Sequence, residues 1–153
     1  MREVVVVSGV RTAIGTFGGS LKDIPPTVLG ATVVREALSR AKVEGAEVGH
    51  VVFGHVVNTE PKDMYLSRVA AVEGGCSQDT PAFNVNRLCG SGLQAIISAS
   101  QAIQLGDTDV AIGGGAENMS RGPYANLTQR WGTRMGDAKL VDMMTGALHD
   151  PFH

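Results

Sequence analysis

The stretch "NVNRLCGSGLQAI", residues 84–96, sets a cysteine where a strand-like run gives way to a helix-like one, with Gly90 and Gly92 directly behind it. A thiol in that place is suited to nucleophilic chemistry. The unpaired N–H groups of a helix's first turn favour negative charge, and the thiolate is the nucleophilic form of cysteine. Cys89 is therefore the candidate catalytic residue, on a helix read as starting at Cys89 itself and running to Leu105. Burial beside Leu88 and Leu93 works against the charge, so a dedicated base, most often a histidine, is expected to complete the activation. The histidines here are His50, His55, His149 and His153, and none sits in a motif that marks it as that base. The other cysteine, Cys76, reads as a small buried hydrophobe.

Positioning such a thiol needs alternating strands and helices, and the pattern supplies them. "VVVV" (4–7) is a continuous β-branched run ending at Ser8-Gly9, as a strand buried on both faces should look. Gly30, Val33, Val34, Ala37, Leu38 and Ala41 share one face of an amphipathic helix introduced by Pro25-Pro26. "HVVFGHVV" (50–57), "AFNV" (82–85) and "DVAIGGG" (109–115) read as further strands, and "MYLSRVAAVEG" (64–74) as a short helix. The residues from Cys89 to Leu105 carry no charge and are apolar on nearly all sides, which predicts a central helix packed in several directions. This order implies α/β architecture, with a mostly parallel sheet and right-handed crossovers. Ligands of such sheets bind beyond the carboxyl ends of the strands. Residues 1–117 form the core domain on this reading. From about residue 118 the pattern dissolves into polar, irregular sequence around Trp131, read as the start of a lid or loop domain over 118–153.

Composition removes other function classes. The chain has 153 residues, 43% hydrophobic, enough for a real core. Its net charge of -2 comes from interspersed charges with no basic run, so neither nucleic acid nor an anionic membrane is an expected partner. The apolar run at the start is too short for a signal peptide or a bilayer span, which makes a cytoplasmic location the expectation. Two cysteines without a C-x-x-C pair point to free thiols, and to neither a disulfide scaffold nor a structural metal site. The 20 glycines are nearly twice the common share of about 7%, and they fall at the ends of periodic segments rather than in a repeat.

Three motif readings compete over the cysteine. "GSGLQA" (90–95) fits the dinucleotide fingerprint G-x-G-x-x-A, but that fingerprint opens the first strand-helix unit and wants an acidic residue at the end of the next strand, where this chain has Gly113 to Gly115. "CGSG" shares three residues with a cysteine-protease signature and then departs, with Gly92 and Leu93 in place of the cysteine and aromatic residue. The third reading is a resemblance. "VNRLCGSGLQAI" resembles the nucleophile motif of the thiolases, the acetyl-CoA acetyltransferases and β-ketothiolases. The likeness runs in order along the chain, through "VVSGVRTAIGTFGGSLKD" (6–23), "RVAAVEGG", "PAFNVNRLCGSGLQAI" and "GGGAENMSRGPY" (113–124).

The resemblance implies a layered α-β-α-β-α fold built from two similar halves, a loop domain over the active site, and assembly as dimers or tetramers. This chain matches the N-terminal half. By resemblance Cys89 is the acyl-accepting nucleophile, and its own backbone N–H contributes to the oxyanion hole. The implied reaction is a reversible Claisen condensation of acetyl-CoA with an acyl-CoA through an acyl-cysteine, in fatty acid metabolism. Coenzyme A thioesters are then substrates, and no cofactor is implied. Gly113 to Gly115 match the strand end that approaches the site, and Leu148 matches the start of the substrate-binding wall along the pantetheine arm. "RWGTRMGD" (130–137) is a candidate for CoA phosphate contact or oligomer assembly.

The activating histidine, the water-orienting asparagine and the second cysteine of the family belong to the C-terminal half, and their motifs do not occur here. The chain is therefore expected to work with that half, as a piece of the enzyme or with the remainder on another chain, and not to turn over substrate alone. The competing readings are a β-ketoacyl synthase-like condensing enzyme, which shares the fold, and a non-catalytic half-thiolase interaction module.

Overall fold

β-Branched and aromatic residues fill the first strand, β1 (His50–Gly54), and alternate residues face opposite sides. Residues 2–153 are described by a computed structural model. In it Val51 and Phe53 enter one apolar cluster and Val52 a second. β1 is thus buried on both faces, as a central parallel strand should be. It pairs in parallel with β2 (Ala82–Val85) on one side and β3 (Ala111–Gly115) on the other, giving the order β2-β1-β3. Phe53 lies opposite Asn84 and Gly114, and Gly54 opposite Val85 and Gly115.

Helices cover the two faces. α1 (Pro26–Ala41) begins on a proline, suited to a first turn whose N–H groups are unpartnered, and ends at Lys42 in the left-handed conformation. It packs on α2 (Leu66–Gly74), and Val34, Leu66, Ala70, Ala71 and Cys76 meet Val51 and Phe53 between them. α3 (Ser91–Leu105) takes the other face, laying Ala95 and Ala99 on Val52. Fully burying a side chain such as Val34 or Leu66 stabilises by about 1.5–3 kcal/mol. The expected α/β class holds, in the arrangement helix, parallel sheet, helix.

The N-terminal run departs from expectation. Residues 4–7 form no strand, and Val5, Val6 and Val7 are 68%, 84% and 67% exposed. The segment follows the flank of β3 without pairing to it: Arg2 bonds Asp109 before that strand, and the Gly18 N–H donates to Ser120 Oγ beyond it. Between them lies a cavity of about 910 Å³, lined by residues 4–17 on one side and by α1, α3 and β3 on the other. A doubly buried composition makes a strand only when an edge and two covering faces are at hand; β3 pairs only with β1 and leaves its outer edge open, but the cavity holds residues 4–17 off it and nothing among the described residues covers Val5, Val6 and Val7.

One side chain closes this part of the molecule. The buried Asn118 side-chain amide donates to the carbonyls of Leu21, Lys22 and Ile24, at 3.0, 3.1 and 2.8 Å. Its oxygen accepts from the Ser120 N–H, starting a short helical turn at Met119–Arg121. Beyond it the parallel pattern ends. β4 (Tyr124–Ala125) and β5 (Val141–Asp142) form a small antiparallel pair, and Asp142 caps α4 (Met143–Gly146) by accepting from the Met144 and Thr145 N–H groups.

Candidate active site

Residues 86–90 join β2 to α3, and their shape is set by side chains as much as by backbone. Leu88 adopts φ 48°, the left-handed region that costs an L-residue with a side chain roughly 1–2 kcal/mol. Four hydrogen bonds hold it there. Asn86 Oδ1 accepts the Leu88 N–H at 3.0 Å, and the Leu88 carbonyl accepts both the Ser91 N–H at 3.0 Å and the Ser91 hydroxyl at 2.6 Å. The same hydroxyl accepts the Arg87 N–H at 2.8 Å. Arg87 Nη1 then ties the turn to the helix through Gln94 Oε1 at 2.8 Å.

Cys89 stands on this turn as a free, exposed thiol. Three expectations need correction. The helix starts at Ser91, with Gly90 as its N-cap, so Cys89 precedes the first turn instead of opening it. The left-handed Leu88 delays helical geometry, which hydrophobic periodicity cannot register. Leu88 and Leu93, read as burying the thiol, are themselves exposed, and the cavity beside β3 is not lined by Cys89. Ile96 and Ile97 are exposed as well, so α3 packs on one side only and is not enclosed among the described residues. Cys76, by contrast, is buried, and burial pushes its thiol pKa up.

Beneath the turn the strand ends are glycine because side chains do not fit. A Cβ on Gly54 would lie 2.5 Å from the Ser91 carbonyl carbon, and one on Gly113 would lie 2.7 Å from Ile96 Cα. These strand ends let α3 sit directly on the sheet. Next to them, sequence reasoning missed a polar cluster. His55 is buried, with Nδ1 2.8 Å from the Ala116 carbonyl and 3.2 Å from Glu117 Oε1. Glu117 also accepts the Val56 and Val57 N–H groups at 2.9 and 3.1 Å. Both neighbours of Nδ1 are acceptors, so the proton sits on Nδ1, and the buried Nε2 has no partner among the described residues. A histidine ending one strand and a glutamate following another was the available signal.

The remaining sequence candidates lie apart. Leu148 is 64% exposed, two residues past α4, and Trp131 is exposed in the irregular segment. His149 and His153 are at the surface, bonded to the Thr145 carbonyl and to Asp150. The described residues contain no group of three or more histidine, cysteine, aspartate or glutamate side chains able to hold a metal ion. No helix among them is long and apolar enough to cross a membrane.

A parallel sheet between helices, glycine at its strand ends and a thiol on the turn from strand to helix make this a thiolase-like α/β chain. The chain belongs to the thiolase family: the profile of the thiolase N-terminal domain matches residues 4–153. It is 76% identical, over 99% of its length, to the beta-ketothiolase BktB of Cupriavidus necator, and spans 39% of that protein. It is 44% identical to the cytosolic acetyl-CoA acetyltransferase of Mus musculus, with 98% of this chain and 38% of that one aligned. Among solved structures, the acetyl-CoA acetyltransferase of Bacillus anthracis superposes with a TM-score of 0.92 at 40% identity, covering 97% of this chain and 38% of the other. The human mitochondrial 3-ketoacyl-CoA thiolase in complex with CoA also gives 0.92, at 38% identity, covering 96% and 38%.

Proposed function

We propose that this chain is the N-terminal part of a thiolase and supplies its acyl-carrying cysteine. The observation that carries the reading is Cys89, an exposed thiol on a side-chain-braced turn in a chain of this family. The thiolate attacks the carbonyl carbon of an acyl-CoA; the tetrahedral oxyanion collapses, the CoA thiolate leaves and takes up a proton, and the acyl group stays on Cys89. An acetyl-CoA that has lost its α-proton to a base then attacks the acyl carbonyl. That forms the carbon–carbon bond of a 3-ketoacyl-CoA and frees the cysteine. In reverse, CoA cleaves the 3-ketoacyl-CoA.

The base belongs to the C-terminal half, and two features support its docking here: the exposed apolar face of α3 at Leu93, Ile96 and Ile97, and the cavity flanking β3. Residues 1–117 act as core and 118–153 as the beginning of a loop domain, a division supported by the end of parallel pairing after β3. Leu148 joins the wall along the pantetheine arm. The protein works in the cytoplasm as a homo-oligomer, a dimer or tetramer, in fatty acid metabolism, and coenzyme A thioesters serve as substrates without a cofactor.

The test is to incubate the full-length protein that carries this chain with acetyl-CoA and map the modified peptide by mass. A 42 Da adduct on Cys89 is the expected result, about the mass of one acetyl group. An unmodified Cys89 peptide overturns the catalytic reading and leaves a non-catalytic module. The 153-residue chain alone is expected to show no thiolysis.

A further inference from the structure

We propose that Ser91 is a positioning residue for the oxyanion of the Cys89 reaction, acting through the Leu88–Cys89 peptide. The inference rests on the reading of Cys89 as acyl acceptor, with its own N–H as the oxyanion donor that the family resemblance implies, and adds a residue that this reading does not assign.

The geometry is specific. The Leu88 carbonyl and the Cys89 N–H belong to one planar trans peptide, so they point in opposite directions. Fixing the oxygen fixes the N–H. Ser91 grips that oxygen twice, with its own N–H at 3.0 Å and its hydroxyl at 2.6 Å. Its hydroxyl oxygen is anchored in turn by the Arg87 N–H at 2.8 Å, and the residue is 4% exposed. The hydroxyl therefore has one stable orientation, with its proton committed to Leu88. Hydrogen bonds to a peptide oxygen also polarise the N–H at the other end of the unit and strengthen it as a donor. Ser91 so does two things to the N–H facing the developing charge: it aims it, and it sharpens it. A serine placed only to cap α3 would bond N–H groups further along the helix, whereas this one turns back into the loop.

The inference separates reactions by whether they develop an oxyanion. Acetylation of Cys89 by acetyl-CoA does; its alkylation by iodoacetamide, a displacement at saturated carbon, does not. In the full-length protein, Ser91→Ala is expected to slow acetylation of Cys89 by about 10- to 100-fold, at or below the loss from deleting an oxyanion donor outright, while alkylation changes by less than about threefold. The loss falls on kcat, with KM for acetyl-CoA within about threefold of its original value. A merely structural serine lowers both reactions together, or neither, and either outcome overturns the proposal. Should Ser91→Ala not fold, Leu88→Gly in the same chain removes the left-handed penalty, and the ratio of acetylation to alkylation is read in that double variant, where an unchanged ratio has the same force. Failure of the underlying reading looks different: Cys89→Ser then retains full thiolysis.

Discussion

Gly54 and Ser91 are in contact at the point where the sheet meets the thiol-bearing turn: a Cβ on residue 54 would come within 2.8 Å of Ser91 Cβ and 2.5 Å of its carbonyl carbon. Neither neighbour is the movable end of a long side chain. Gly54→Ala must lift α3 off β1, at a cost of about 1–3 kcal/mol typical of overpacked cores. The expected outcome is a lower urea midpoint for the full-length protein, together with slower Cys89 acetylation because the displaced residue carries the clasp on Leu88. Unchanged stability shows that the helix can shift freely.

Ser67 joins three elements. Its hydroxyl accepts the Phe53 N–H at 3.0 Å and reaches the Phe83 carbonyl and Asn84 Oδ1, each at 2.7 Å. Asn84 Oδ1 also accepts the Ser67 N–H at 2.8 Å, and its amide donates to the Asp63 and Met64 carbonyls. Ser67→Ala removes the hydroxyl that accepts the Phe53 N–H and reaches Phe83 and Asn84, and is expected to cost about 1–3 kcal/mol. Denaturant titration measures it. Hydrogen exchange at Phe53 should accelerate with it, since that amide loses one acceptor.

How much of this was legible in the sequence depends on the range of the interaction that decides each feature. The strands at 50–54, 82–85 and 111–115 and the helices between them follow from local periodicity and glycine or proline punctuation, and they lie where expected within a few residues. The start of α3 was misplaced by two residues because Leu88 takes a left-handed backbone held by side chains of Asn86 and Ser91, which no hydrophobic pattern encodes. The valine run at 4–7 carries a strong strand composition, yet it is held off the open edge of β3 and its side chains lack a covering layer among the described residues. Cys89 itself was readable from motif and position, and the resemblance named its family. Ser91 and Glu117 were not readable as site residues, because their partners lie in a tight turn and some sixty residues away in sequence.

Glu117 binds two adjacent N–H groups and faces His55, so its carboxylate presents only acceptors to three donors. Glu117→Gln turns one end into an amide donor that opposes a backbone N–H. The side chain is partly exposed, and the expected loss is about 1–2 kcal/mol. Exchange at the Val56 and Val57 amides should rise by more than that of β1 as a whole. Nitrogen-15 chemical shifts of His55 provide a second check, with the proton expected on Nδ1.

The two cysteines should part company with pH. Burial raises the pKa of Cys76 from the 9.0 of a free thiol by disfavouring its thiolate, whereas Cys89 is exposed. At pH 8 a single equivalent of iodoacetamide is therefore expected to label Cys89 and spare Cys76 in the folded protein, with both labelled after denaturation. The same shift links Cys76 to stability. The unfolded thiol ionises first as pH rises, so the stabilisation is full below 9.0 and is lost as pH climbs from there through the higher folded value. Cys76→Ala removes this dependence, because alanine has no proton to lose. A urea midpoint that falls between pH 8 and 10.5 in the parent by no more than it does in Cys76→Ala would show that Cys76 does not govern the alkaline limb.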